Sequence, residues 1–312
     1  EPICPIGAMY SGDMHVDKAV ALGVQLRTEC VAWKLEKGAG NKIVALHYRQ
    51  PDGKDTRLTA KTFIIAAHGL ETPKLLLMND VANSSDQVGR NLMDHTGLSL
   101  TFLADEPLWT GRGSVQHGTI ANRRDEASRA QHSAIRYSLR NLVPNVDVTV
   151  PLLKQGMMGQ ALDDAIRDRA SRIMNISTMS ETLPSPTNRV TPNYDRKDSI
   201  GLPMLNVNYH LDDYVRGMRP QAYKDFANFL QAFNGEVIEA PTGWRNQYHI
   251  MGTTIMGDNP RDSVVDAHCR SWDHPNLFLA TTGVMPTSAT VNPTLTGIAL
   301  ALRMADTIAR EI

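Results

Sequence analysis

The sequence is poor in cysteine, nearly balanced in charge and without any long apolar run, and each shortage excludes something. Its three cysteines, Cys4, Cys30 and Cys269, lie far apart. An odd, sparse set makes no disulfide framework. The formal net charge is −1, so charge gives no reason to expect nucleic acid as a partner. No stretch approaches the ~18 consecutive apolar residues of a membrane-spanning helix. The HExxH and GxSxG patterns are absent, which removes the usual zinc-protease and serine-hydrolase signatures. Gly111, Gly113 and Gly118 miss the GxGxxG spacing and read as loop glycines. His117 and His132 have no Cys or carboxylate partner at metal-ligand spacing. No secretory signal is visible, and the start at Glu1 rather than Met reads as a fragment or a processed product.

What is present is the composition of an ordinary globular protein, 42% hydrophobic and 21% charged, long enough for one or two domains. Residues 1–15 are broken by Pro2, Pro5, Gly7 and Gly12, and a short helix is expected over Asp17–Leu22. Alternation then predicts strands over Val24–Arg27, Cys30–Glu36, Ile43–Gln50 and Arg57–Ala60, separated by turns at residues 37–41 and Pro51–Gly53, a β-meander. The continuous apolar run Phe63–Ala67 suits a strand covered on both faces. Thr72 is expected to cap a helix with Pro73 at its first position. The middle of the chain mixes apolar strands such as Leu98–Leu103, a polar helix over Gln160–Arg172, a Pro-rich loop over Leu183–Pro192 and a two-piece helix over Asp212–Phe233. Near the end, Asn276–Ala280 reads as a buried strand and Gly283–Val291 as a loop. Asn292-Pro293 opens a final helix whose apolar face is Leu295, Ile298, Leu302, Ala305, Ile308 and Ile312.

Two features carry chemistry. The first is Tyr248-His249-Ile250-Met251-Gly252-Thr253-Thr254, a histidine before small residues that permit close approach of a large planar ligand. On residue type alone His249 reads more readily as a structural histidine. The second is Asn292-Pro293-Thr294. It is an N-cap followed by proline at the first helical position. The same geometry presents free N–H groups and partial positive charge to an anion, such as the N1/C2-oxygen edge of a reduced flavin.

The segment His249–Ile312 resembles the C-terminus of the glucose–methanol–choline (GMC) oxidoreductase family. The shared residues are His249, Gly252-Thr253, Met256-Gly257, Val264-Val265-Asp266, Asn276-Leu277, Pro286-Thr287 and Asn292-Pro293-Thr294-Leu295-Thr296. Upstream, the run from Ala66 to Leu77 is similar to the family's second signature, and Val88 to His95 to its Gly-Arg-Asn-Leu-x-Asp-His segment. The family's glycine motif for the FAD pyrophosphate and its acidic ribose-binding residue are missing from this sequence, and Thr281 stands where many relatives have Asp. Pro2-Ile3-Cys4-Pro5-Ile6-Gly7-Ala8 is similar to the last cysteine of a clustered trio in gluconate, sorbitol and FAD-dependent glucose dehydrogenase large subunits. That likeness makes Cys4 an iron–sulfur ligand candidate, with a small buried residue as the plain alternative.

The resemblance implies an α+β protein. An incomplete FAD-binding, Rossmann-like remnant would span residues 1–95 and 245–312, and an antiparallel-sheet substrate domain residues 96–244. It implies oxidation of an alcohol group of a sugar, polyol or sugar acid by hydride transfer to FAD. His249 and Asn292 would be catalytic, with Val31, Ala67, Gly69, Gly283, Pro293 and Thr294 at the cofactor. Glu181, Asn188 and Arg189 are substrate-contact candidates, more readily read as loop and strand-edge polar residues. Electrons would pass through a cluster to a partner carrier, with a small subunit and a cytochrome as expected partners and a periplasmic or membrane-associated location. The rivals are an oxygen-using oxidase or choline-type dehydrogenase, and a catalytically silent fragment or binding module.

Overall fold

A computed structural model describes residues 10–111, 116–142 and 144–311. Cys4, Gly113 and Ile312, on which expectations rested, lie outside the described residues. In chain order the early elements are α1 (Asp13–Ala21), β1 (Val31–Lys37), β2 (Ile43–Arg49), β3 (Asp55–Leu58), β4 (Phe63–Ile65) and α2 (His68–Met78). Next come β5 (Thr96–Gly97), β6 (Ser99–Leu103), β7 (Gln116–Ile120), β8 (Ile135–Arg140), α3 (Asn145–Lys154), α4 (Gly159–Arg172) and β9 (Ile173–Ser180). The rest are β10 (Arg189–Lys197), β11 (Pro203–Asn208), α5 (Asp213–Arg216), α6 (Arg219–Ala232), β12 (Glu236–Glu239), β13 (Arg245–Asn246), β14 (Leu277–Leu279) and α7 (Thr294–Glu311). Among the described residues no helix is long and apolar enough to cross a membrane. The fold is α+β, with antiparallel sheets.

The chain divides into two compact units. One comprises residues 1–25, 96–181 and 212–247, the other residues 26–95, 182–211 and 248–312. The division departs from the expected 96–244 boundary at the β10–β11 hairpin, which belongs with residues 26–95. The reason is local: Val190 N donates to Gly89 O at 2.7 Å, and Gly89, at φ +82°, lies so close that a Cβ there would sit 2.3 Å from the Val190 oxygen.

In the first unit, β9 pairs with β6 and β5 on one side and with β8 on the other, and β12, β13 and β7 extend the sheet. All of these pairings are antiparallel. Alternation along β9 buries Met174 and Ile176, which pack with Leu98, Leu100, Phe102 and Tyr137 against Met218, Ala222 and Phe226. The opposite face is polar: Asn175 Nδ2 donates to Ser99 Oγ and Thr101 Oγ1, each at 2.9 Å. Under α6, the buried Asp225 accepts two bonds from Arg123 (2.9 and 3.0 Å), one from the Tyr137 hydroxyl (2.6 Å) and one from Gln221 (3.0 Å). Burial pushes the Asp225 carboxyl up, but Arg123 and Tyr137 more than offset it and hold it below the usual carboxylate range.

In the second unit, β1, β2 and β3 form the expected meander. Glu36 on β1 ties its partners together, accepting from Arg57 at 2.8 and 2.9 Å and lying 3.1 Å from His47 Nε2. The Arg57 and His47 contacts lower its carboxyl to about 2. The parallel pair β4–β14 carries Phe63, Ile65 and Leu277–Leu279 into a core shared with Leu75, Leu76, Val264, Val265 and Ile308. Residues 24–27 are not a strand: Val24 and Leu26 are exposed and the segment pairs with nothing in a sheet.

Two other expectations are corrected. Helix α2 begins at His68, so Pro73 lies inside it. A proline there removes the N–H that would bond Gly69 O, and the Thr253 hydroxyl donates to that carbonyl instead, at 2.5 Å. Helix α7 packs through Met304 and Ile308, with Leu300 partly buried. Leu295 and Leu302, expected on the buried face, are 80% and 64% exposed. Gly297 sets this orientation, because a Cβ there would lie 3.0 Å from Thr282 Cγ2.

Arg123→Ala should leave a buried carboxylate short of two donors and cost about 1–3 kcal/mol of stability. Because the folded Asp225 value is depressed, its contribution is present above the unfolded carboxylate value near ~3.9 and is lost as pH falls through the folded value. Urea unfolding should therefore show the Arg123→Ala penalty at neutral pH and a smaller one in acid; an equal penalty at both would contradict the assignment.

Candidate active site

The site is built around the strand-like run 248–256. It threads between residues 89–94 on one side and residues 283–284 on the other. Met93 and Met251 exchange both main-chain bonds, at 2.9 and 3.0 Å. Gly89 N donates to Thr253 O at 2.8 Å and Thr254 N to Gly283 O at 2.9 Å. Gly252 has φ +85°, and a Cβ there would fall 2.0 Å from Asn91 O, so only glycine lets the two segments approach this closely.

Tyr248 is the strained point. It is a bulky residue at φ +60°, and its side chain is 81% exposed. Such a conformation persists only where surrounding contacts impose it. The Asp94 carboxylate supplies them, accepting from Tyr248 N at 3.2 Å and His249 N at 2.7 Å. Asp94 is itself buried.

The side chain of His249 lies between two polar partners. Its Nδ1 is 3.0 Å from Nδ1 of His95, and its Nε2 is 3.0 Å from the Asn292 carboxamide nitrogen. The two rings meet edge to face, with centroids 5.1 Å apart. His95 is fully buried, and its Nε2 lies 3.0 Å from both the Ser288 and Ala289 carbonyl oxygens. The loop carrying those carbonyls is anchored by Ser288 Oγ, which accepts from Thr182 N at 2.8 Å and lies 2.9 Å from Thr182 O. Asn292 lies two residues before α7, with Pro293 between them. The first intrahelical bond runs from Gly297 N to Pro293 O, so Pro293 takes the capping place one residue later than expected. The amides of the following turn are then not consumed by the helix.

Beside His249 opens a cleft of about 340 Å³ lined by His68, Tyr248, Ile250, Ala280, Thr281, Thr282, Pro293, Thr294, Gly297, Ile298 and Ala301. Of the expected cofactor positions, Pro293 and Thr294 line it directly. Ala67 and Gly69 flank its wall residue His68, and a Cβ on Gly69 would lie 2.8 Å from Ile250. Gly283 sits beneath, where a Cβ would come within 2.9 Å of the Thr253 and Thr254 hydroxyl oxygens. Val31 is not part of the cleft; it starts β1 opposite Arg49. The expected substrate residues have other work. The buried Glu181 accepts from Arg129 at 2.5 and 2.8 Å and from Tyr214 at 3.0 Å. Asn188 brackets the main chain of His210, at 3.0 and 2.9 Å, and Arg189 pairs with Asn208 in the β10–β11 ladder. A second cavity, of about 320 Å³, lies on the polar face of the seven-stranded sheet, with Arg140, Asn175, Glu239, Arg245 and Gln247 in its lining. Among the described residues no group of His, Cys, Asp or Glu is arranged to hold a metal. Cys30 and Cys269 are free, and burial pushes the Cys269 thiol up to about 11.

Two sequence models of GMC oxidoreductases match the chain, one over residues 4–97 and the other over residues 184–301. The chain belongs to the GMC oxidoreductase family. It is 43% identical over 318 residues to the fructose dehydrogenase large subunit of Gluconobacter japonicus, covering 100% of the chain and 58% of that relative. It is 29% identical to 2-methyl-1,2-propanediol dehydrogenase of Mycolicibacterium austroafricanum, covering 95% of the chain and 56% of the relative. The chain thus spans little more than half the length of these relatives. In fold it is similar to a variant of formate oxidase from Aspergillus oryzae, with a TM-score of 0.67 and 16% identity over 91% of this chain and 60% of that one. Family membership implies FAD. The cleft beside α7 fits the flavin end of that cofactor: its floor is made of small residues, and a helix start faces it.

Asp94 and His95 were legible only as part of a family segment, with no role attached. A buried acid–histidine pair preceding a strand is a weak signal without knowing what it packs against.

Thr253→Val should destabilise the chain by about 1–3 kcal/mol, because it orphans the Gly69 carbonyl. In a Pro73→Ala background, where the helix regains its own donor, the penalty should shrink. Equal penalties in both backgrounds, measured by chemical unfolding, would contradict the compensation.

Proposed function

We propose that this chain carries the proton-accepting half of a flavin-dependent alcohol oxidation acting on a sugar, polyol or sugar acid. The observation that carries the reading is the 3.0 Å pairing of His249 Nε2 with the Asn292 carboxamide beside a cleft with a helix start in its wall. The residues that would hold the flavin ring are His68, Ala280, Thr281, Thr282, Gly297 and the Pro293–Thr294 turn. When bound, FAD supplies the two-electron acceptor that takes the hydride from the carbinol carbon. The chain's own part is the proton: the hydroxyl O–H bond breaks, its proton goes to an imidazole nitrogen, and the C–O bond becomes a carbonyl. An imidazole suits this task at neutral pH. Asn292 cannot take a proton and instead orients the hydroxyl. The free amides at the start of α7 favour negative charge in front of them, which favours the reduced cofactor.

The finer parts of the proposal rest on resemblance. The fructose dehydrogenase large subunit supports a sugar or polyol as substrate. Transfer of electrons to a partner carrier, with a small subunit and a cytochrome, belongs to the same proposal, as does a periplasmic or membrane-associated setting. Cys4 would give one iron–sulfur ligand of three; Cys30 and Cys269 match no cluster position.

In the FAD-loaded enzyme, His249→Ala should lower turnover by roughly 10²–10⁴-fold, the range for loss of a general base. Unchanged turnover on every alcohol tested would contradict the reading. The sequence has no glycine turn for the FAD pyrophosphate. The 312-residue chain alone should therefore bind FAD no better than micromolar by calorimetry, and submicromolar affinity would show that the cleft suffices.

A further inference from the structure

We infer that His95 is a positioning residue that fixes which nitrogen of His249 carries the proton, and so keeps the lone pair on Nε2. The inference rests on the reading of His249 as the base. Nε2 of His95 lies 3.0 Å from two carbonyl oxygens, those of Ser288 and Ala289. Carbonyls only accept, so that nitrogen bears the hydrogen. The ring is fully buried, and in its neutral form it carries no second proton. Nδ1 of His95 then carries a lone pair. The two Nδ1 atoms are 3.0 Å apart, so the hydrogen between them belongs to His249. A neutral His249 protonated at Nδ1 has its lone pair on Nε2. That is the nitrogen facing Asn292 at 3.0 Å, and the Asn292 N–H donates to it. The chain of donors therefore runs in one direction, from Asn292 to His249 to His95 to the carbonyls of residues 288 and 289.

The arrangement has a chemical consequence. A histidine without such a partner distributes its proton between both nitrogens. Any fraction protonated at Nε2 cannot accept the substrate proton at the cleft edge. In serine hydrolases a carboxylate holds the histidine tautomer, and loss of that hold drops turnover steeply. Here a buried neutral imidazole, held in turn by two main-chain carbonyls, takes that place. After proton uptake Nδ1–H of His249 keeps its bond to His95, while the new Nε2–H can no longer accept from Asn292, whose carboxamide must turn its oxygen toward it.

The test has a spectroscopic and a kinetic arm. The chain, labelled with ¹⁵N at histidine, is examined by long-range proton–nitrogen correlation at neutral pH, with signals assigned through single substitutions. His249 should show its proton on Nδ1 and His95 its proton on Nε2. His249 protonated on Nε2, or a doubly protonated His95, overturns the inference. In the FAD-loaded enzyme, His95→Leu removes the acceptor and should lower kcat about tenfold or more with little change in KM. His95→Asn keeps an oxygen at the Nδ1 place and should restore most of kcat and the Nδ1–H signal of His249. If His95→Leu does not fold, the spectrum of the unmutated chain and the Asn variant decide. A His249→Ala enzyme that is inactive beside a fully active His95→Leu enzyme refutes the positioning role and leaves the base intact. An active His249→Ala enzyme removes the base, while the spectra still decide the proton pattern.

Discussion

The Asp94 carboxylate, by accepting the main-chain amides of Tyr248 and His249, holds a strained turn on which the site depends. An exposed aromatic at positive φ gains nothing from its own side chain, so the bonds to Asp94 must stabilise the conformation. That turn sets where the His249 ring points. The neighbouring residue His95 then meets the ring at Nδ1, and Asn292 meets it at Nε2. Two consecutive residues of one segment thus control both the backbone and the imidazole of a residue more than a hundred positions away.

Other close approaches serve the same run of chain. Gly252 permits contact with Asn91, Thr253 satisfies the carbonyl that Pro73 leaves open, and Gly283 leaves room for three threonine hydroxyls. Each is a small residue or a short hydroxyl at a point where a larger one would clash or leave a polar atom unpaired. The run 248–256 is thus held by main-chain bonds to the 89–94 segment and to Gly283 and by the Thr253 hydroxyl to α2.

Much of this was legible in the sequence. Alternation placed β1 and β2, and a short apolar run placed β14, each within a residue or two, since these strands bury one or both faces. Residue type and family likeness brought out His249 and Asn292, which the fold pairs. The misses have physical causes. Val24–Arg27 alternates but finds no partner strand. Pro73 read as a helix start because its compensating donor, Thr253, lies far away in sequence. The apolar stripe of α7 predicted its buried face, but Gly297 and Met304 decide which side packs. Glu181 and Asn188 read more readily as structural polar residues than as substrate contacts, and their partners in the fold are an arginine, a tyrosine and a main-chain segment of the protein itself. Polar residues in a loop do not announce whether they face a ligand or their own fold.

The most direct test of the central claim is the pH dependence of kcat/KM in the FAD-loaded enzyme. The titratable groups around the base include His95, the Asp94 carboxylate, His68 and Tyr248. A base must be unprotonated to act, so kcat/KM should fall as pH drops through the range where imidazoles take up a proton. That acid limb should vanish from the small residual activity of His249→Ala. An acid limb that persists unchanged in His249→Ala would show that another group takes the substrate proton.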